Sequence, residues 1–114
     1  LLRARSAKGL KNKRLKYARQ LLEDDQQKYL QALNVSISGY ISDKLNLGNA
    51  ELTTVEIQKL VKEHQLDETV FNNVIELLEE MDRYRFTGID LPKENRNILF
   101  DKTSDSLNRM GKVF

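Results

Sequence analysis

The chain of 114 residues contains no cysteine. That absence removes disulfide staples, thiolate metal sites and thiol catalysis together. Proline occurs once, tryptophan not at all, and histidine once, at His64. The longest uninterrupted apolar run is Ile98-Leu99-Phe100, far short of the ~20 residues that span a bilayer. No secretory leader is visible, and the chain starts at Leu1 rather than at a methionine, as an excised piece would. EF-hand, HExxH, Walker A and GxGxxG patterns are all missing. With 39% hydrophobic and 32% charged residues, the composition suits one folded domain with a charged surface.

Charge is abundant and unevenly placed. Residues 1–22 carry Arg3, Arg5, Lys8, Lys11, Lys13, Arg14, Lys16 and Arg19 and no acid, a charge of +8. The remaining 11 basic residues face all 17 acids in residues 23–114, which leaves −6 there. The net +2 therefore conceals a basic lead joined to an acidic body. We read residues 1–24 as the lead and 25–114 as the body of a single domain.

Apolar spacing predicts an all-α fold, a bundle of about five helices. No sustained alternation of period two and no Asn-Gly or Asp-Gly hairpin turn is present. The first helix, from about Leu2 to Asp24, sets Leu15, Ala18, Leu21 and Leu22 on one stripe. That stripe thins to Ala4, Ala7 and Leu10, as in a segment that packs loosely or projects. A second helix from about Asp25 to Leu45 places Tyr29, Leu30, Leu33, Ile37, Tyr40, Ile41 and Leu45 at spacings of three and four. Gly39 inside it costs about 1 kcal/mol against alanine, a loss that a close helix contact would justify. Asn46, Gly48 and Asn49 then supply a turn.

Thr53-Thr54-Val55-Glu56 fits a capping box, with Leu52 and Ile57 as its hydrophobic staple. Asp67 repeats the N-cap logic between Leu66 and Phe71. The two helices so launched expose Ile57, Leu60 and Val61, then Val70, Val74, Ile75, Leu77, Leu78 and Met81. Thr87-Gly88 closes the second. Pro92 belongs in the first turn of a last helix, whose inner stripe is Leu99, Thr103, Leu107 and Met110.

Little of this supports catalysis, and no catalytic, cofactor or metal residue is assigned. His64 follows Glu63 near a helix end, where a solvated ring suits the dipole, and no nucleophile stands at a usable spacing. Glu76, Glu79, Glu80 and Asp82 could hold a metal, but Arg83 and Arg85 lie four and three residues after Glu79 and Asp82, in reach for surface pairing. The basic lead has three readings. Lysines and arginines neutralise nucleic-acid phosphates, yet residues 1–22 hold one aromatic, Tyr17, and no base-reading motif. A juxtamembrane segment gathers the same residues beside anionic headgroups, and Leu1-Leu2 would then end a membrane span. A merely solvated helix face is the third. Under the second reading Lys8, Lys11, Arg14 and Lys16 contact headgroups. Arg83, Tyr84 and Arg85 have the composition of an interface anchor, while Phe86 reads as a core plug at a helix end.

Several stretches resemble one family in order. Residues 39–47, GYISDKLNL, are similar to a YLSDKLNI-like stretch in the C-terminal region of BatD proteins, from the Bacteroides aerotolerance operon. Glu51-Leu52-Thr53 before a short helix, Gln65-Leu66-Asp67-Glu68 at a turn, and residues 77–86, LLEEMDRYRF, resemble later elements of that region. Ala7, Lys8, Leu10 and Lys11 fit the basic segment after the family's membrane span. The chain departs from the pattern at Met81, where the family often has cysteine, and at Tyr84, where it often has alanine. The resemblance implies a bacterial inner-membrane protein with this domain on the cytoplasmic side. It implies partners of two kinds, von Willebrand factor A-type membrane proteins and a MoxR-type AAA ATPase, in oxygen tolerance or envelope stress. The expected function is non-enzymatic protein docking; the alternative is nucleic-acid binding through the first helix.

Overall fold

A computed structural model describes residues 2–48 and 51–114, with side chains described from Lys8 onward. It is an all-α bundle of five helices: α1 (Leu2–Gln20), α2 (Gln26–Leu45), α3 (Thr54–His64), α4 (Glu68–Thr87) and α5 (Lys93–Val113). The expected turn residue Asn49, the expected span end at Leu1 and the side chains of Arg3, Ala4, Arg5 and Ala7 lie outside the described residues.

Helix α2 is the axle. It packs against α1, α4 and α5, while α3 lies along α4. Its expected stripe is buried from Tyr29 to Ile41, but so are Ala32, Asn34, Ser36, Ser38, Gly39 and Ser42 on its other sides. A helix enclosed this fully must satisfy its polar side chains locally. Ser36 Oγ donates to the Ala32 carbonyl at 2.9 Å, and Ser38 Oγ donates to Asn34 Oδ1 at 3.0 Å. Among the described residues, no buried side-chain polar atom lacks a partner.

Around this axle the core takes Ala18 from α1, Ile57 and Val61 from α3, and Phe71, Val74, Leu78 and Met81 from α4. Helix α5 supplies all four residues of its expected stripe, Leu99, Thr103, Leu107 and Met110. The last residue, Phe114, caps the set: its ring meets Phe71 and Tyr40 edge-on at 5.3 and 5.9 Å between centroids.

Local sequence sets the boundaries. Thr53 and Glu56 form the complete capping box, with the Glu56 amide donating to Thr53 Oγ1 at 3.1 Å and the Thr53 amide donating to Glu56 Oε1 at 2.9 Å. Those bonds to the carboxylate hold Glu56 below its ordinary pKa. Asp67 Oδ1 accepts the Val70 amide at 2.9 Å. Left-handed residues end three helices: Asn46, Gln65 and Gly88. Two boundaries differ from the spacing. Helix α1 stops at Gln20, and Leu21–Glu23 form a turn, because Arg96 of α5 takes its exit carbonyls. The Arg96 guanidinium donates to the Leu22 carbonyl at 3.1 Å and the Asp24 carbonyl at 2.8 Å. Pro92 stands just before α5, as N-cap, rather than inside its first turn.

The same end of the molecule is tied by Gln26 at the start of α2. Its amide nitrogen donates to the Ile89 carbonyl at 2.8 Å, and its oxygen accepts the Leu91 amide at 2.7 Å. One side chain thus fixes the α4–α5 turn on the head of α2, and Lys93 pairs with Glu23 beside it.

Candidate interaction surfaces

Helix α1 lies along α2 rather than projecting from it, burying Ala18 completely and half-burying Leu15, with Leu21 and Leu22 of the following turn half-buried as well. The Arg14 side chain fills the space beside Gly39: a Cβ there would stand 2.6 Å from the guanidinium carbon. Arg14 crosses that gap and pairs with Asp43 at 2.8 Å. The glycine in mid-helix therefore accommodates a charged side chain of the neighbour.

The four residues expected at headgroups consequently differ in what they can do. Lys8 and Lys16 are exposed. Lys11 is half-buried, its ammonium 5.7 Å from the Tyr40 ring centroid. Arg14 is engaged by Asp43. Lys13 and Arg19 complete an outer face with Lys8 and Lys16; Arg19 rests its guanidinium 5.4 Å from the Phe100 ring centroid, and none of those four makes an ion pair among the described residues. Tyr17, 58% exposed, stands beside Lys13 and lines a groove with Lys28, Ala32 and Val35.

The second candidate is the end of α4. Arg85 is inward: it pairs with Glu51 at 2.8 Å and Asp82 at 3.5 Å, and its guanidinium stacks 5.2 Å from the Phe86 centroid. Burial pushes the Asp82 carboxyl above its ordinary pKa even beside Arg85. Tyr84 is half-buried against the core, with its carbonyl accepting Gln27 Nε2 at 3.2 Å. Arg83 is exposed. Phe86, read from sequence as a core plug, is instead 74% exposed, and Ile89 in the following turn is 58% exposed. The helical period explains the reversal. Leu78, Met81 and Arg85 share the inner stripe at spacings of three and four, whereas Phe86 falls on its flank. The sequence held that signal.

The acids of α4 are spread out rather than gathered. Glu80 pairs with Lys102 at 3.2 Å and Asp82 with Arg85. Among the described residues no three His, Asp or Glu side chains are grouped to hold a metal ion. His64 is exposed in the last turn of α3. Among the same residues no helix is long and apolar enough to cross a membrane.

The end of α4 and the Lys11–Lys44 corner lie toward opposite ends of α2. Gln27, which holds Tyr84, is in its first turn, and Lys44, beside Lys11, is in its last. At 1.5 Å per residue that separates them by about 25 Å along the axis. Comparison with protein-family models, with curated proteins and with solved structures gives no match.

Proposed function

We propose that this domain is a non-enzymatic docking module of the BatD type. It rests against the cytoplasmic face of a bacterial inner membrane and presents the end of α4 to protein partners. The observation that carries this reading is the unpaired basic face of α1: Lys8, Lys13, Lys16 and Arg19 together on a helix whose apolar stripe is already used against α2. A helix so packed has little apolar surface left to insert, so its attraction to the bilayer is electrostatic. Each lysine or arginine at an anionic leaflet contributes about 1 kcal/mol. Tyr17 adds an interfacial aromatic.

At the end of α4, Phe86 supplies a large exposed ring with Arg83 nearby, the residue types that most often anchor interfaces. Arg85 has a positioning part: held by Glu51 and Asp82, it backs the Phe86 ring. The partners this reading names are a von Willebrand factor A-type membrane protein and a MoxR-type AAA ATPase.

Capture from solubilised membranes tests the partner claim. The wild-type domain is expected to retain an ATPase or a von Willebrand factor A-type protein, and Phe86→Ser with Arg83→Glu to lose it. Recovery of neither class by the wild type contradicts docking. Tight, sequence-dependent binding of DNA or RNA at moderate salt would replace it with a nucleic-acid function.

A further inference from the structure

Beside the outer face of α1, a cleft of about 640 Å³ opens at the far end of the bundle. Three helices line it: Lys8 and Lys11 come from α1, Tyr40 and Lys44 from α2, and Asn108 and Lys112 from α5. Four lysines from separate parts of the chain thus line one cleft, and no carboxylate residue lines it. This is a tertiary arrangement and not the solvated face of one helix.

Two of the four are held by one ring. Lys11 and Lys44 place their ammonium groups 5.7 and 5.8 Å from the Tyr40 centroid. Cation–π attraction offsets only part of the repulsion between them. The carbonyl ends of α2 and α5 add roughly half a negative charge each, which Lys44 and Lys112 in the last turns complement. After that, about three positive charges remain without a counter-charge. Neutral hydrogen-bonding groups stand among them. The Tyr40 hydroxyl makes no hydrogen bond among the described residues and lies against Gly111, where a Cβ would approach it to 3.3 Å. Asn108 offers an exposed amide.

We propose that this cleft binds a phosphate monoester. Lysines bind phosphate as point charges, without the bidentate geometry of an arginine fork, so the cleft selects by charge density. A monoester carries close to two negative charges at neutral pH and matches the excess better than a singly charged diester. The cleft adds selection to the general attraction of α1. The inference rests on the membrane-facing reading only for the ligand's source, which is either a phosphatidic acid headgroup at the bilayer or a soluble phosphomonoester.

Amide chemical-shift mapping on the whole chain separates these cases. Glycerol 3-phosphate is the soluble probe; vesicles of phosphatidic acid and of phosphatidylglycerol, at matched surface charge, are the lipid probes. For a soluble ligand, shifts concentrate in residues 40–44 and 108–112, and Lys44→Gln with Lys112→Gln weakens binding on the order of tenfold. For a lipid ligand, glycerol 3-phosphate leaves the spectrum unchanged, while the same pair of substitutions abolishes a preference for phosphatidic acid. Either result supports the cleft. Shifts spread along the outer face of α1, an equal loss from Lys13→Gln with Lys16→Gln, or response to neither probe would overturn it. Binding of glycerol 3-phosphate without any binding to phosphatidylglycerol would sink the membrane reading and leave the cleft standing.

Discussion

Gly39 shows how one residue joins the sequence to the assembly. Alanine would be the better helix former by about 1 kcal/mol, but its methyl would displace the Arg14 guanidinium from Asp43. Gly39→Ala is therefore expected to be close to neutral in the wild type, because gain and loss offset. In an Arg14→Ala background, where nothing need move, it should stabilise by about 1 kcal/mol. Equal effects in both backgrounds, measured by urea unfolding, would contradict the contact. Tyr29 makes a second residue-scale case. Its buried hydroxyl donates to the Arg96 carbonyl at 2.8 Å, and burial raises its pKa above the ordinary 10.0. The folded chain keeps this proton at a pH where the unfolded chain releases it, so stability falls as pH rises above 10.0. Tyr29→Phe should cost about 1 kcal/mol near neutrality and flatten that alkaline loss. An unchanged alkaline slope would assign the effect elsewhere, Tyr40 being the other tyrosine raised by burial.

Among the elements, α3 ends on Gln65, whose φ of 52° is left-handed. A side chain there costs roughly 1 kcal/mol that glycine avoids. Gln65→Gly should thus stabilise by up to about 1 kcal/mol in thermal unfolding, and destabilisation would show that the side chain makes a contact of greater worth. The opposite substitution logic applies at Thr53, where Thr53→Ala removes the capping box and should cost about 1 kcal/mol. The left-handed end at Gln65 carries no glycine to mark it, whereas the starts at Thr53 and Asp67 were legible because capping is chemistry within four residues. So were the inner stripes of α2, α4 and α5, which follow the 3.6-residue period. The end of α1 was not legible, since Arg96 reaches its carbonyls from more than 70 residues away in sequence. The cleft was hidden for the same reason: Lys44 and Lys112 are unremarkable until folding sets them beside Lys8 and Lys11. Phe86 is legible too, since helical phase sets it beside the inner stripe of Leu78, Met81 and Arg85 whatever its hydrophobicity.

The whole molecule measures 38 × 25 × 21 Å, and its charge is arranged along that form. The +8 of the lead is spread over a helix that belongs to the bundle, with Lys11, Arg14 and Arg19 engaged by Tyr40, Asp43 and Phe100 and Lys8, Lys13 and Lys16 left outward. The exposed ring of Phe86 lies at the head of α2, about 25 Å along the axis from the Lys11–Lys44 corner, while the basic face runs along α1 toward that head. Such a layout suits a module that touches a bilayer with one side and a protein with another.

The most direct test of that layout is co-sedimentation of the domain with phosphatidylglycerol-containing and neutral phosphatidylcholine vesicles across a salt series. The account predicts binding to the anionic vesicles alone, falling as salt rises. Lys8→Glu, Lys13→Glu and Lys16→Glu together should weaken it by on the order of a hundredfold or more. Equal binding to both vesicle types, or none to the anionic vesicles at low salt, would contradict it.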